Sequence, residues 1–124
     1  MKDKYDALKL ENQLCFPLYA CSKEIVRRYK PYLDEIDLTY TQYIAMMVLW
    51  EHGRINVKDM GALLYLDSGT LTPVLKKLEQ KGYLTREQAV DIPRKMGGCI
   101  GLSGEDAREL YRILHKVLAL MEQE

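Results

Sequence analysis

A mainly α-helical fold built around a pair of short helices is what this sequence predicts, on three observations. Apolar residues recur at helical spacing in almost every window, while alternating strand patterns are nearly absent. Two short amphipathic segments, each opened by a capping residue, follow one another across a tight turn. The chain has 124 residues, 48% hydrophobic and 29% charged, which suits one soluble globular domain and not a disordered chain.

The elements follow in order. Leu10, Leu14, Leu18, Cys21, Ile25 and Val26 place a first helix over about Ala7 to Tyr29, with Pro17 kinking it near Cys15 and Lys30-Pro31 ending or bending it. Thr39 and Thr41 are candidate N-caps for a second helix that runs to Glu51-His52 and stops at Gly53. Its run from Ile44 to Trp50 is apolar on nearly every side, which marks a buried central helix. Asn56 caps a short helix from Val57 to Leu66, and Asp67-Ser68-Gly69 forms a turn that also caps the next helix, Thr70 to Lys81. Leu71, Val74, Leu75 and Leu78 give that helix its buried stripe, and Gly82 closes it. Tyr83-Leu84-Thr85 is a candidate strand start. Ser103-Gly104-Glu105-Asp106 opens a last helix that reaches about Met121.

Composition excludes several classes. The longest apolar run, Ile44 to Trp50, is too short to span a bilayer, and the polar start Met1-Lys2-Asp3-Lys4 has no signal core behind it. Three cysteines, with no Cys-x-x-Cys pair, argue for a reducing, cytoplasmic setting and against a disulfide scaffold. Two well-separated histidines do not make a metal site, and no phosphate loop, dinucleotide fingerprint or nucleophile motif occurs, so neither a cofactor nor an enzyme is expected. Net charge is zero, but unevenly spread: residues 1–53 sum to −1, 54–86 to +3 and 87–124 to −2. The middle third is the positive part.

Two features carry chemistry. The outward face of the helix over 70–81 shows Thr70, Thr72, Pro73, Lys76, Lys77 and Gln80, with Ser68 at its start. Hydroxyls and an amide can meet base edges and lysines can meet phosphates, so the pair of helices fits a helix-turn-helix. A solvated lysine face fits the same pattern. The second feature is Cys15, in Glu11-Asn12-Gln13-Leu14-Cys15-Phe16. As a thiolate it can attack a peroxide, and tyrosine hydroxyls can donate to that thiolate without adding charge. Nine tyrosines are present, among them Tyr19, Tyr29, Tyr32, Tyr40 and Tyr43. As a small buried hydrophobe Cys15 needs no partner, and Cys21 on the apolar stripe reads as packing. Cys99 stands among small residues in Gly97-Gly98-Cys99-Ile100.

Three stretches together resemble one family: Leu10 to Phe16, Leu38-Thr39-Tyr40-Thr41-Gln42-Tyr43, and Leu66 to Gln80. They resemble the MarR family of winged-helix repressors and, within it, the organic hydroperoxide resistance regulators. The resemblance runs over about residues 8–86 and resumes at Ala89-Val90-Asp91-Ile92-Pro93. It implies one winged helix-turn-helix domain over 1–124, with a reading core over 31–86 and dimerisation helices over 1–30 and 87–124. By the same resemblance Cys15 is the peroxidatic thiol. Tyr29 and Tyr40 donate hydrogen bonds to it, with Tyr19 nearby. Cys99 is a candidate resolving thiol, a bystander being the alternative. Ser68, Thr70, Thr72, Pro73, Lys76 and Lys77 lie on the recognition helix. The implied partners are a second copy of the chain, a palindromic double-stranded DNA operator and an organic hydroperoxide effector.

One departure stands out. In the family a β-hairpin wing follows the recognition helix, whereas here Thr85-Arg86 passes straight to Glu87-Gln88-Ala89, which resembles the middle of the next helix. The wing is therefore missing, or was left out, after Arg86. The second is favoured, because wings are exposed hairpins and a direct junction would strain the chain. The implied function is a repressor that releases its operator when Cys15 is oxidised. The alternatives are a wingless interaction protein, a thiol peroxidase and a ligand-responsive regulator in which Cys15 is only packed.

Overall fold

The structure, a computed structural model, describes residues 3–82 and 89–122. Six helices follow two 3-10 turns: α1 (Cys15–Asp34), α2 (Tyr40–His52), α3 (Val57–Leu64), α4 (Ser68–Lys81), α5 (Ile92–Ile100) and α6 (Gly104–Met121). They fall into two compact units, Met1–Ile92 and Pro93–Glu124. No strand occurs among the described residues. The candidate strand at 83–85 and the junction after Arg86 lie outside them.

In the first unit the chain does not enter α1 at Ala7. Residues 6–8 and 10–12 form two 3-10 turns instead. Side-chain amides hold them: Asn12 Nδ2 donates to the Asp6 carbonyl at 2.7 Å, and Gln13 Nε2 donates to the carbonyls of Ala7 and Lys9 at 2.7 and 2.8 Å. Asn and Gln used in this way divert the backbone from a continuous helix. Pro17 then falls in the first turn of α1, where its missing N–H leaves no helical bond unmade. The kink expected near Cys15 is thus a helix start. Nor does Pro31 end the helix, which continues through it to Asp34. The end comes where Asp37 turns left-handed (φ 55°) and Leu38 N–H reaches back to the Leu33 carbonyl at 3.0 Å.

Thr39 then caps α2 with a complete capping box. Gln42 N–H donates to Thr39 Oγ1 at 3.2 Å, and Thr39 N–H donates to Gln42 Oε1 at 3.0 Å. Tyr43, Ala45, Met46 and Val48 are buried, so α2 is the central helix, and Gly53 stops it at φ 72°. Only Met47 among its aliphatic residues is clearly exposed. Asn56 Oδ1 accepts from Asp59 N–H at 2.7 Å and opens α3. That helix ends at Leu64, two residues early, because Tyr65 turns left-handed (φ 58°) and Leu66 N–H bonds back to the Gly61 carbonyl. Asp67 Oδ1 accepts from Thr70 N–H at 2.7 Å, so α4 already begins at Ser68. The hydrogen bonds from Thr70 hold the Asp67 carboxyl below the usual carboxylate range.

Gly61 is the tight point of the helix pair. A methyl built there would lie 2.5 Å from the Leu66 carbonyl oxygen, a backbone atom fixed by the turn into α4. Alanine in a helix is favoured over glycine by about 1 kcal/mol. Forcing the turn open should outweigh that, so Gly61→Ala is expected to destabilise the protein by about 1–3 kcal/mol. A fall in urea midpoint at unchanged slope is the expected record, and an unchanged or raised midpoint would refute it.

In the second unit, Ser103 Oγ accepts from Asp106 N–H at 3.1 Å and caps α6 where the sequence places it. No residue of α6 is buried, and Leu110, Ile113, Val117, Leu120 and Met121 are all exposed. The helix α5 was not expected from periodicity. Its Pro93, Gly97 and Gly98 are poor helix formers, yet the helix forms through all three.

Candidate functional site

The capping and turn just described fix how α4 is presented. Leu71 and Leu78 are fully buried and Val74 and Leu75 half-buried, which leaves the opposite face to solvent. Ser68, Thr70, Thr72, Pro73, Lys76 and Lys77 are all exposed, so the structure brings the six expected residues onto one accessible helix. Three hydroxyls, one proline edge and two ammonium groups along about three turns give both base-edge donors and acceptors and phosphate ligands.

The thiol lies near the start of the chain. Cys15 is the first residue of α1, exposed and unbridged, behind the 3-10 turns clamped by Asn12 and Gln13. No side chain caps this helix start. Tyr19 is one helical turn along, exposed, with the Lys23 ammonium 5.9 Å from its ring centroid. Cys21 is also exposed, against the expectation that it packs. Leu14, Leu18 and Val26 of the same stripe are exposed too, and Leu33 is the sole buried residue of α1. Cys99 lies within the backbone of α5, but its side chain is outside the described residues.

Tyr29 and Tyr40 do come together. Their ring centroids are 4.9 Å apart, and a third ring joins them: Tyr43 is 5.8 Å from Tyr29 and 6.2 Å from Tyr40. Burial pushes all three hydroxyls above the usual tyrosine range, reinforced at Tyr29 by Tyr40 and Tyr43 and at Tyr43 by Tyr40. They therefore stay protonated at neutral pH and remain donors. A groove of about 260 Å³ lies against Tyr40, lined by Val26, Leu33 and Leu38 together with the polar Arg27, Lys30, Asp34 and Thr39. Tyr43 was visible only as one tyrosine among several. What marks it is position: three residues after Tyr40, it falls on the same face of α2.

What the structure does not bring together is Cys15 and this cluster within one chain. Cys15 and Tyr29 lie on the same helix, separated by four turns, and about 21 Å of rise lies between them. A hydrogen bond from Tyr29 to the Cys15 of its own chain is excluded by that length. Among the described residues no group of three or more His, Cys, Asp or Glu side chains is placed to hold a metal, and no helix is long and apolar enough to cross a membrane.

Comparison with known proteins gives this arrangement its context. Residues 38–91, from the α2 cap through the helix pair, match the sequence profile of the MarR family. The organic hydroperoxide resistance transcriptional regulator of Bacillus subtilis is 46% identical over 145 aligned positions, covering 99% of each chain. Since this chain has 124 residues, at least 21 positions of that relative have no counterpart here. A crystal structure of AbfR of Staphylococcus epidermidis superposes with a TM-score of 0.77 at 26% identity, covering 97% of this chain and 96% of that one. A structure of reduced AbfR bound to DNA superposes at 0.70 with 28% identity, covering 96% and 99%. Likeness at this level, sustained over essentially the whole of both chains, has one meaning: the chain belongs to the MarR family, and within it resembles the organic hydroperoxide resistance regulators.

Proposed function

We propose that this protein is a transcriptional repressor that binds a palindromic DNA operator as a homodimer, senses organic hydroperoxides by oxidation of Cys15, and then releases the operator. The observation that carries this reading is the 46% identity to a hydroperoxide resistance regulator over 99% of both chains. The geometry supports each half of it. On α4 the exposed Ser68, Thr70, Thr72, Pro73, Lys76 and Lys77 supply a DNA-reading face, and two such helices in a dimer would enter successive major grooves about one helical turn apart. The uncovered apolar faces of α1 and α6 supply the dimer contacts, making the segments 1–30 and 87–124 the dimerisation parts. Regulation of this kind belongs in the cytoplasm.

The helix length on α1 supports one way for the thiol to meet its donors. Tyr29 cannot reach the Cys15 of its own chain, so the Tyr29–Tyr40 pair serves the thiol of the second protomer, and the dimer is needed to complete the site. Protonated hydroxyls there hold the thiolate, and the adjoining apolar groove receives the organic part of the peroxide. The thiolate sulfur attacks the terminal peroxide oxygen and an S–O bond forms as the O–O bond breaks. The sulfur loses two electrons and becomes sulfenic acid, while the peroxide is reduced and leaves as alkoxide, which takes a proton to become alcohol. Cys99 is the candidate second thiol that would then condense with the sulfenic acid, releasing water. Without turnover this is sensing, one oxidation per subunit, and not enzyme catalysis.

A second reading follows from the 21 or more positions missing relative to the Bacillus regulator. If these include the wing, the chain loses minor-groove contacts and can act by pairing with a winged relative. One titration tests both. Fluorescence anisotropy of its own promoter DNA is expected to show tight binding by the reduced protein and release after a stoichiometric dose of organic hydroperoxide. Binding that ignores hydroperoxide would remove Cys15 from the mechanism, and absence of binding in both states would favour the wingless partner.

A further inference from the structure

The last residue of α4 reaches across to the start of α2. Lys81 Nζ donates to the Asp37 carbonyl at 2.7 Å and to Gln42 Oε1 at 3.2 Å, and the Asp37 carboxylate lies 3.7 Å away. The Asp37 carboxylate is exposed, whereas Gln42 is buried. Asp37 is the left-handed residue that turns α1 into α2, and Gln42 closes the capping box on Thr39. The same Gln42 oxygen thus accepts from Thr39 N–H and from Lys81. Between the two halves of that box stands Tyr40, the first residue of α2, and directly after it comes Tyr43. One ammonium group therefore ties the far end of the recognition helix to the turn that carries two of the three clustered tyrosines.

Electrostatics explains why this contact does more than stabilise α2. A cation at the C-terminal end of α4 is favoured by that helix's dipole, but its head sits at the N-terminal end of α2, where a cation is disfavoured. The oxygens of Asp37 and Gln42 hold it there against the second dipole. Any change in the first turn of α2 that moves those oxygens therefore shifts the balance at Lys81 and the seating of α4. Charged groups with a partner of this kind contribute a term that depends on geometry at both ends.

We propose that Lys81 is a positioning residue that couples the tyrosine cluster to the recognition helix, so that displacement of the Cys15 acceptor from Tyr29 and Tyr40 on oxidation is passed through the α2 cap to α4. This rests on the redox-switched operator binding proposed above. In that scheme the hydroxyl of Tyr40 loses its acceptor as oxidation enlarges and displaces the sulfur group, the first turn of α2 readjusts, and the Gln42–Lys81 link carries the shift to the DNA-reading face.

The test compares the intact protein with Lys81→Met, which keeps the stem and removes the ammonium, and with Lys81→Arg, which restores donors. Operator affinity is measured on a duplex from its own promoter, before and after oxidation by cumene hydroperoxide, and thiol loss at Cys15 is followed in parallel. Lys81→Met is expected to oxidise at the unaltered rate but to lose about tenfold or more of the ratio between reduced and oxidised affinities, in the range of ordinary coupling. Lys81→Arg is expected to return that ratio to within about threefold of the original. A Lys81→Met protein that keeps the full ratio would overturn the coupling role, as would one whose ratio is lost and not recovered by arginine, since that marks a packing effect. If the unsubstituted protein neither binds nor releases the duplex, the regulatory reading fails first and the coupling role falls with it.

Discussion

Replacing Cys15 by serine is expected to leave operator binding intact and to abolish its response to organic hydroperoxide. Serine keeps the size and a hydrogen-bonding group at the start of α1, where the side chain is exposed and supports no packing, so the fold and α4 should be undisturbed. A hydroxyl, however, cannot take the oxygen that a thiolate takes, so the two-electron oxidation has no acceptor. The unsubstituted protein is expected to lose about 100-fold in affinity on oxidation, at the upper end of common allosteric couplings, while Cys15→Ser changes by less than about twofold. Anisotropy titrations with and without hydroperoxide read both numbers. Cys21→Ser is the necessary companion, because Cys21 is equally exposed and unbridged. It is expected to respond like the original. Release by Cys15→Ser would transfer the sensing role to Cys21 or Cys99.

The contrast between these two cysteines shows what the sequence could and could not convey. Helices with polar caps were readable to within two residues, because Thr39, Asn56, Asp67 and Ser103 each accept a backbone N–H of the turn they open. The start of α1 was not. Its apolar spacing continues upstream to Leu10, and nothing in periodicity reveals that Asn12 and Gln13 spend their amides on earlier carbonyls. Pro31 does not end the helix, which runs on through it to Asp34. The resemblance brought Tyr29 and Tyr40 forward as a pair, and their ring contact agrees with it. It did not say that Cys15 lies beyond their reach in the same chain, which follows only once both residues are known to share one unbroken helix. Cys21 was assigned to a core because it sits on an apolar stripe, but a stripe says only that something covers it, not that the same chain does. The Lys81 link joins residues 39 and 44 positions apart, and no local pattern announces such a contact.

The other large effect concerns the lysines of α4. Removing both, as Lys76→Gln with Lys77→Gln, is expected to weaken operator binding by on the order of 10³-fold at 0.1 M salt. The loss comes from counterion release. Both ammonium groups are exposed on the reading helix, so a dimer presents four. Each phosphate neutralised contributes about 0.9 to the slope of log affinity against log salt. Four contacts therefore carry about 3.6 units of slope, and losing them removes up to as many decades of affinity at 0.1 M. Thr70→Ala, by contrast, removes a group suited to a base edge, so its loss should fall on the cognate sequence by about 1–3 kcal/mol with little change in slope. A lysine pair that leaves the slope unchanged would mean these side chains face solvent in the complex, as on any amphipathic helix.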